Sequence, residues 1–159
     1  MTMSGHLLHL ADELTRGSSS GGKEDSTRRR RAVSTAYYAV FHELTRMCAD
    51  ELLGGDDETR GTNEYERVYR ALDHGSLKTA FSSEPLRGNR TLTHIGDRVV
   101  RLQSERIRSD YLPERQLYSR NQSADIVNLA KSTIKLIEGL SRPDRRTLAV
   151  YLIFKNRPQ

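Results

Sequence analysis

Apolar side chains recur at intervals of three and four residues through most of the chain, and no stretch alternates with period two for long enough to build a sheet. Leu7, Leu10, Ala11 and Leu14 predict a short first helix over His6 to Thr15. The run RGSSSGGKEDS that follows holds too little apolar surface to pack, so 16–26 reads as a flexible connector. The strongest pattern is Val33, Ala36, Tyr37, Val40, Phe41, Leu44, Met47 and Cys48. It predicts a long helix over 28–53, capped by Ser26 or Thr27 and ended by Gly54-Gly55. Asn63 with Glu66 is a capping-box pattern for a helix with Tyr65, Val68, Tyr69 and Leu72 inward, interrupted at Gly75. A further piece, Leu77 to Phe81, runs into a loop marked by Pro85 and Gly88.

From Asp97 a helix is expected with Val99, Val100, Leu102 and Ile107 inward, ending before Pro113 because proline disfavours helical geometry in its predecessor. Ser119 to Leu140 forms a second long amphipathic pattern. Ser141-Arg142-Pro143-Asp144 then starts a final helix through Leu148 to Phe154, a segment apolar enough for a strand but without a partner strand. The expected class is all-α: an up-and-down bundle of four to five main helices. Residues 1–27 would be a short helix plus linker, and 28–159 the helical domain.

A length of 159 residues suits one core, and no run approaches the ~18 uninterrupted apolar residues of a spanning helix. With acids near its start rather than a basic leader, the chain is expected to be soluble and cytoplasmic, with no membrane partner. Cys48 is the only cysteine, which leaves no internal disulfide or multi-cysteine metal site, and no metal or cofactor is expected. Apolar residues make up only 35% of the chain, so the long helices are expected to leave an apolar strip that a homodimer contact covers. The formal charge of +5 fits a phosphate-bearing partner without requiring one. Arginine far outnumbers lysine, and its planar donor fork suits bidentate contact with phosphate or a base edge. The absence of Trp and a 6% aromatic content argue against a platform for stacking single-stranded bases.

The phosphate loop ending in GK[ST], HExxH, paired-cysteine zinc spacing and GxSxG are all missing, which removes the common nucleotide-hydrolase, metalloprotease and esterase signatures. Three polar features remain. Arg31, Thr35, Tyr38 and His42 form one stripe along the strong helix, able to hold an anion, donate a hydrogen bond and exchange a proton. Polar groups satisfied at a helix crossing would give the same stripe. The run Arg28 to Arg31 sits at the expected helix start, where positive charge opposes the macrodipole, so either the Asp56-Asp57-Glu58 loop or an anionic ligand should answer it. Finally, SERIRSDYLPERQLYSR spaces Arg106 and Asp110 four apart with Tyr111 at the helix end, a pair that is structural in isolation but lines a phosphate-sized pocket beside another polar stripe.

RRRRAVSTAYYAVFHELTRMCADELL resembles the amino-terminal signature of prokaryotic HEPN domains, with its AYYAxFH core. VYRALDHGSLKTAF, ERIRSDYLP with its RxxxDYxP pattern, a long helix and the closing LAVYLIFKNR are similar to the successive segments of one HEPN subgroup, over roughly residues 28–157. The resemblance implies a helical bundle that pairs into a homodimer and brings polar residues of two protomers into one cleft. Many members are metal-independent ribonucleases, toxins or antiviral effectors, that use an Arg followed after four to six residues by His. Here Tyr111 occupies the place of that histidine. Arg67 with His74 and Arg87 with His94 meet the loose spacing outside the segment where the motif belongs.

On this resemblance the expected catalytic residues are Arg106, Asp110, Tyr111 and His42, with Arg30, Arg31, Tyr38 and Arg108 binding RNA or another phosphate ligand. Cleavage by 2'-hydroxyl attack needs a base and a group to answer the developing phosphate charge. Tyr111, with an ordinary pKa of ~10, is a poor base, which puts His42 forward. The expected function is an RNA-directed toxin or defence effector. The alternative is an inactive HEPN module that binds a nucleotide or phosphate ligand, or a partner such as a cognate antitoxin or defence protein.

Overall fold

The computed structural model describes residues 1–16, 22–113 and 117–155 of the chain. Among them every regular element is helical: α1 (Met3–Thr15), α2 (Lys23–Leu53), α3 (Asp57–Arg60), α4 (Asn63–Tyr69), a single 3-10 turn at His74–Ser76, α5 (Leu77–Ser82), α6 (Arg90–Tyr111), α7 (Arg120–Glu138) and α8 (Arg142–Ile153). The all-α expectation therefore holds, and the apolar 148–153 segment is helix.

The boundaries move for local physical reasons. α2 begins at Lys23 rather than near Ser26–Arg28. Gly22 adopts a φ of +70°, its carbonyl accepts from the Ser26 amide at 3.1 Å, and Glu24 and Asp25 occupy the first turn where the dipole favours acids. Part of the expected connector is thus helical, while 17–21 lie outside the described residues. The arginine run accordingly falls past the first turn. Thr62, not Asn63, caps α4, its side chain accepting from the Tyr65 amide. α6 starts seven residues before Asp97, at Arg90, where the Asn89 side chain accepts from the Leu92 amide. Gly96 inside it is a packing requirement: a Cβ there would stand 2.5 Å from the Phe81 ring.

The chain divides into two compact units: Met1–His42 with Arg98–Lys135, and Glu43–Asp97 with Leu136–Gln159. In the first unit the buried apolar residues come from α1 (Ala11), α2 (Val33, Ala36, Tyr37, Val40), α6 (Val99, Leu102) and α7 (Ile126, Val127, Ala130, Ile134), at the spacings of amphipathic helices. Lys131 of α7 pairs with Asp12 of α1. Ile107, expected inward, is exposed instead. In the second unit Leu44, Met47 and Cys48 of α2 are buried, as are Leu72, Leu77, Phe81, Leu92, Ile95, Ile137, Leu148 and Leu152. Burial pushes the Cys48 thiol up to about 12, so it serves as a small apolar side chain. No described helix is long and apolar enough to cross a membrane.

Candidate functional site

The site in the first unit starts from a helix end that cannot finish itself. In a continuing α6 the Ser109 carbonyl would accept from the amide of residue 113, but Pro113 has none. Arg30 of α2 supplies the missing donor: its Nε reaches the Ser109 carbonyl at 2.7 Å and its Nη2 bonds the Leu112 carbonyl. The end of α6, whose last two turns carry Arg106 and Asp110, is thereby tied to α2 in a defined register.

Over that tie the two helices bring five groups together. The Arg106 guanidinium lies across the rings of Tyr37 and Tyr38, 5.4 and 5.8 Å from their centroids, and the rings meet edge-on at 5.4 Å. Asp110 stands one turn further along α6, with Oδ2 3.8 Å from Arg106 Nη1, close enough to attract but too far to hydrogen-bond. The same oxygen accepts from the Ser34 hydroxyl at 3.3 Å. Arg106 and Asp110 are only 13% and 19% exposed, so their interaction is less screened than a surface pair's. Arg106 Nε is buried and makes no hydrogen bond, an unsatisfied donor of the kind interiors rarely retain.

Protonation in this cluster follows from burial. The Tyr37 phenol is fully buried, and desolvation drives its pKa well above the ordinary value despite the opposing Arg106 charge, so it stays neutral. His42, half-buried and one turn beyond Tyr38 on the same face of α2, is pushed below its usual 6.5 by desolvation. A neutral imidazole at pH 7 is one that can accept a proton.

The residues singled out from sequence are distributed unevenly. Arg106, Asp110 and Tyr38 share the cluster, and His42 stands one turn along α2 from Tyr38. Tyr111 is 73% exposed. Arg108 is exposed beyond Glu105, which it pairs with at 3.5 Å, on the opposite side of α6 from Arg106. Arg31 is exposed and Arg30 is engaged with backbone, while Arg28 donates to the Glu13 carbonyl. Asp56, expected to answer the arginine run, caps α3 by accepting from the Thr59 amide and hydroxyl at 2.9 and 2.7 Å. Sequence reasoning missed Tyr37 and Ser34. The adjacent tyrosines were the available signal, since neighbouring helical positions splay by about 100° and can clasp one group between them.

Among the described residues no group of three or more His, Cys, Asp or Glu side chains is placed to hold a metal ion. No family model matches the chain, and neither a curated protein nor a solved structure matches it.

Proposed function

We propose that this chain is a HEPN-type protein that acts on RNA, with Arg106 receiving the scissile phosphate and His42 serving as the base for 2'-hydroxyl attack. The observation that carries this reading is the Arg106 guanidinium: partly desolvated, set on two aromatic faces, and not hydrogen-bonded to the carboxylate beside it. Such a cation keeps its charge and its terminal Nη donors, rather than the buried Nε, for an incoming phosphate, and in a low-dielectric setting each new hydrogen bond counts for more. Asp110, held by Ser34, orients the guanidinium from one side. A homodimer belongs to the same proposal, supported by the exposed Ile107, Tyr111 and Leu112 at the end of α6.

The exposure of Tyr111, which stands where the family's histidine would fall, favours a second reading in which the site binds a nucleotide, RNA or a partner of a toxin or defence assembly without turnover. One experiment separates the two. Purified full-length chain is incubated with mixed RNA in EDTA, and its affinity for a labelled oligoribonucleotide is measured in parallel. Cleavage that Arg106→Ala reduces by roughly 10²–10³-fold, and His42→Gln comparably, supports the ribonuclease. Binding without cleavage, weakened by Arg106→Ala, supports the silent module. Cleavage and binding that both ignore Arg106 would overturn both.

A further inference from the structure

In the second unit a surface cavity of about 430 Å³ is lined by the 3-10 turn, α5 and the end of α8. That volume falls within the range of roughly 300–1,000 Å³ typical of small-molecule sites. One wall is aromatic: Tyr151 and Phe154 stand three residues apart at the end of α8, and Phe154 is 60% exposed. The lining also holds two carboxylates. Asp73 Oδ1 accepts from the Gly75 amide at 3.1 Å and Glu84 Oε2 from the Gly88 amide at 3.0 Å. Each carboxylate is therefore anchored to backbone by one oxygen. A Cβ at Gly88 would lie 2.5 Å from the Glu84 carboxylate, so a side chain there would displace it.

The cavity already contains a guide to its own ligand. Lys155 Nζ lies 3.4 Å from Asp73 Oδ2, so an ammonium sits at the carboxylate in a cavity walled by the two rings. Lys155 is 69% exposed, and a pair of that kind is weak and easily exchanged. Counting formal charge, Asp73, Glu84 and Lys155 leave the cavity anionic in a chain whose net charge is +5. The Gly75 amide keeps the Asp73 carboxyl below its usual range, so it is ionised at neutral pH. Aromatic faces, fixed carboxylates and a displaceable internal ammonium are together what an organic cation requires.

We propose that this cavity binds a primary ammonium or guanidinium carried on an apolar body, with the cation at Asp73 in place of Lys155 Nζ and the body against Tyr151 and Phe154. The ligand is either a free amine or a basic side chain of a peptide. Both share this chemistry, and the site is independent of the Arg106 cluster.

The test is a titration of the isotope-labelled full chain by amide NMR. The probes are tyramine, its neutral analogue tyrosol, and the peptide Gly-Arg-Gly. Tyramine is expected to shift amides in 73–84 and 151–155, with tyrosol at least about tenfold weaker. Gly-Arg-Gly binding more tightly than tyramine assigns the peptide source, and weaker binding assigns the free amine. Asp73→Asn, which keeps an acceptor for the Gly75 amide, should remove the preference for tyramine over tyrosol. Lys155→Gln should tighten tyramine several-fold by removing its internal competitor. Phe154→Ala should weaken binding while leaving the melting temperature unchanged, because the ring is largely in solvent. Equal responses to tyramine and tyrosol, or unshifted cavity amides at about 10 mM tyramine, would overturn the proposal.

Discussion

Each unit of this protein builds a cluster from an arginine, an aspartate and tyrosine, and the two clusters are finished differently. In the second unit Arg60 donates twice to Asp50, Nε at 3.1 Å and Nη2 at 2.7 Å, and the Tyr65 hydroxyl donates to the same carboxylate at 2.6 Å. Burial pushes the Asp50 carboxyl up, but these hydrogen bonds outweigh it and hold the group below its usual range, while Tyr65 is pushed up to about 12. In the first unit Arg106 and Asp110 stop 3.8 Å apart, and the guanidinium rests on ring faces with Nε unpaired. The same three side-chain types thus give a closed ion pair in one place and an open cation in the other. A closed pair stabilises; an open one retains capacity for a further partner.

The largest effect should come from opening the closed cluster. Asp50 is 13% exposed, so Asp50→Ala strands Arg60 and Tyr65 and should cost about 2–3 kcal/mol, lowering the melting temperature by roughly 5–10 °C in calorimetry. Because the folded-state pKa of Asp50 is depressed, its contribution is present above the ordinary value of 3.8 and is lost as pH falls through the lower folded value. The gap between wild type and variant should therefore narrow in acid; a gap that widens would contradict the closed-pair account.

Removing the cation of the open cluster should do less. Arg106→Met keeps an unbranched chain against Tyr37 and Tyr38 and removes an unsatisfied donor. Its unfolding free energy should stay within about 1 kcal/mol of wild type by denaturant titration. A loss equal to that of Asp50→Ala would erase the distinction between the clusters.

The smallest effect is the pH response of His42. Its folded pKa lies below the unfolded 6.5, so the folded state resists its protonation. Stability is full above pH 6.5 and declines as pH falls from there to the folded value. Comparing wild type with His42→Gln across that window isolates the term, and identical profiles would remove His42 as a desolvated base.

The helical class was legible because apolar spacing is a property of each segment alone: the positions from Val33 through Cys48 read as one apolar face in sequence, and all but the half-buried Phe41 are buried in the structure. The start of α6 was not, since TLTHIGD carries β-branched residues and a glycine, and only its packing against Phe81 explains Gly96. Arg106, Asp110 and Tyr38 were legible as stripes on their helices, because helical periodicity puts them in line. The tie that Arg30 makes to the end of α6 was not legible, for the opposite reason. Its partners are backbone carbonyls some eighty residues away, and carbonyls carry no sequence signal.

That tie changes how the four successive arginines are understood. They look like one electrostatic object, yet Arg30 works as a splint across the place where a proline leaves a helix frayed. Whatever molecule the neighbouring guanidinium engages, the angle at which it is presented is set by a residue that never needs to touch it.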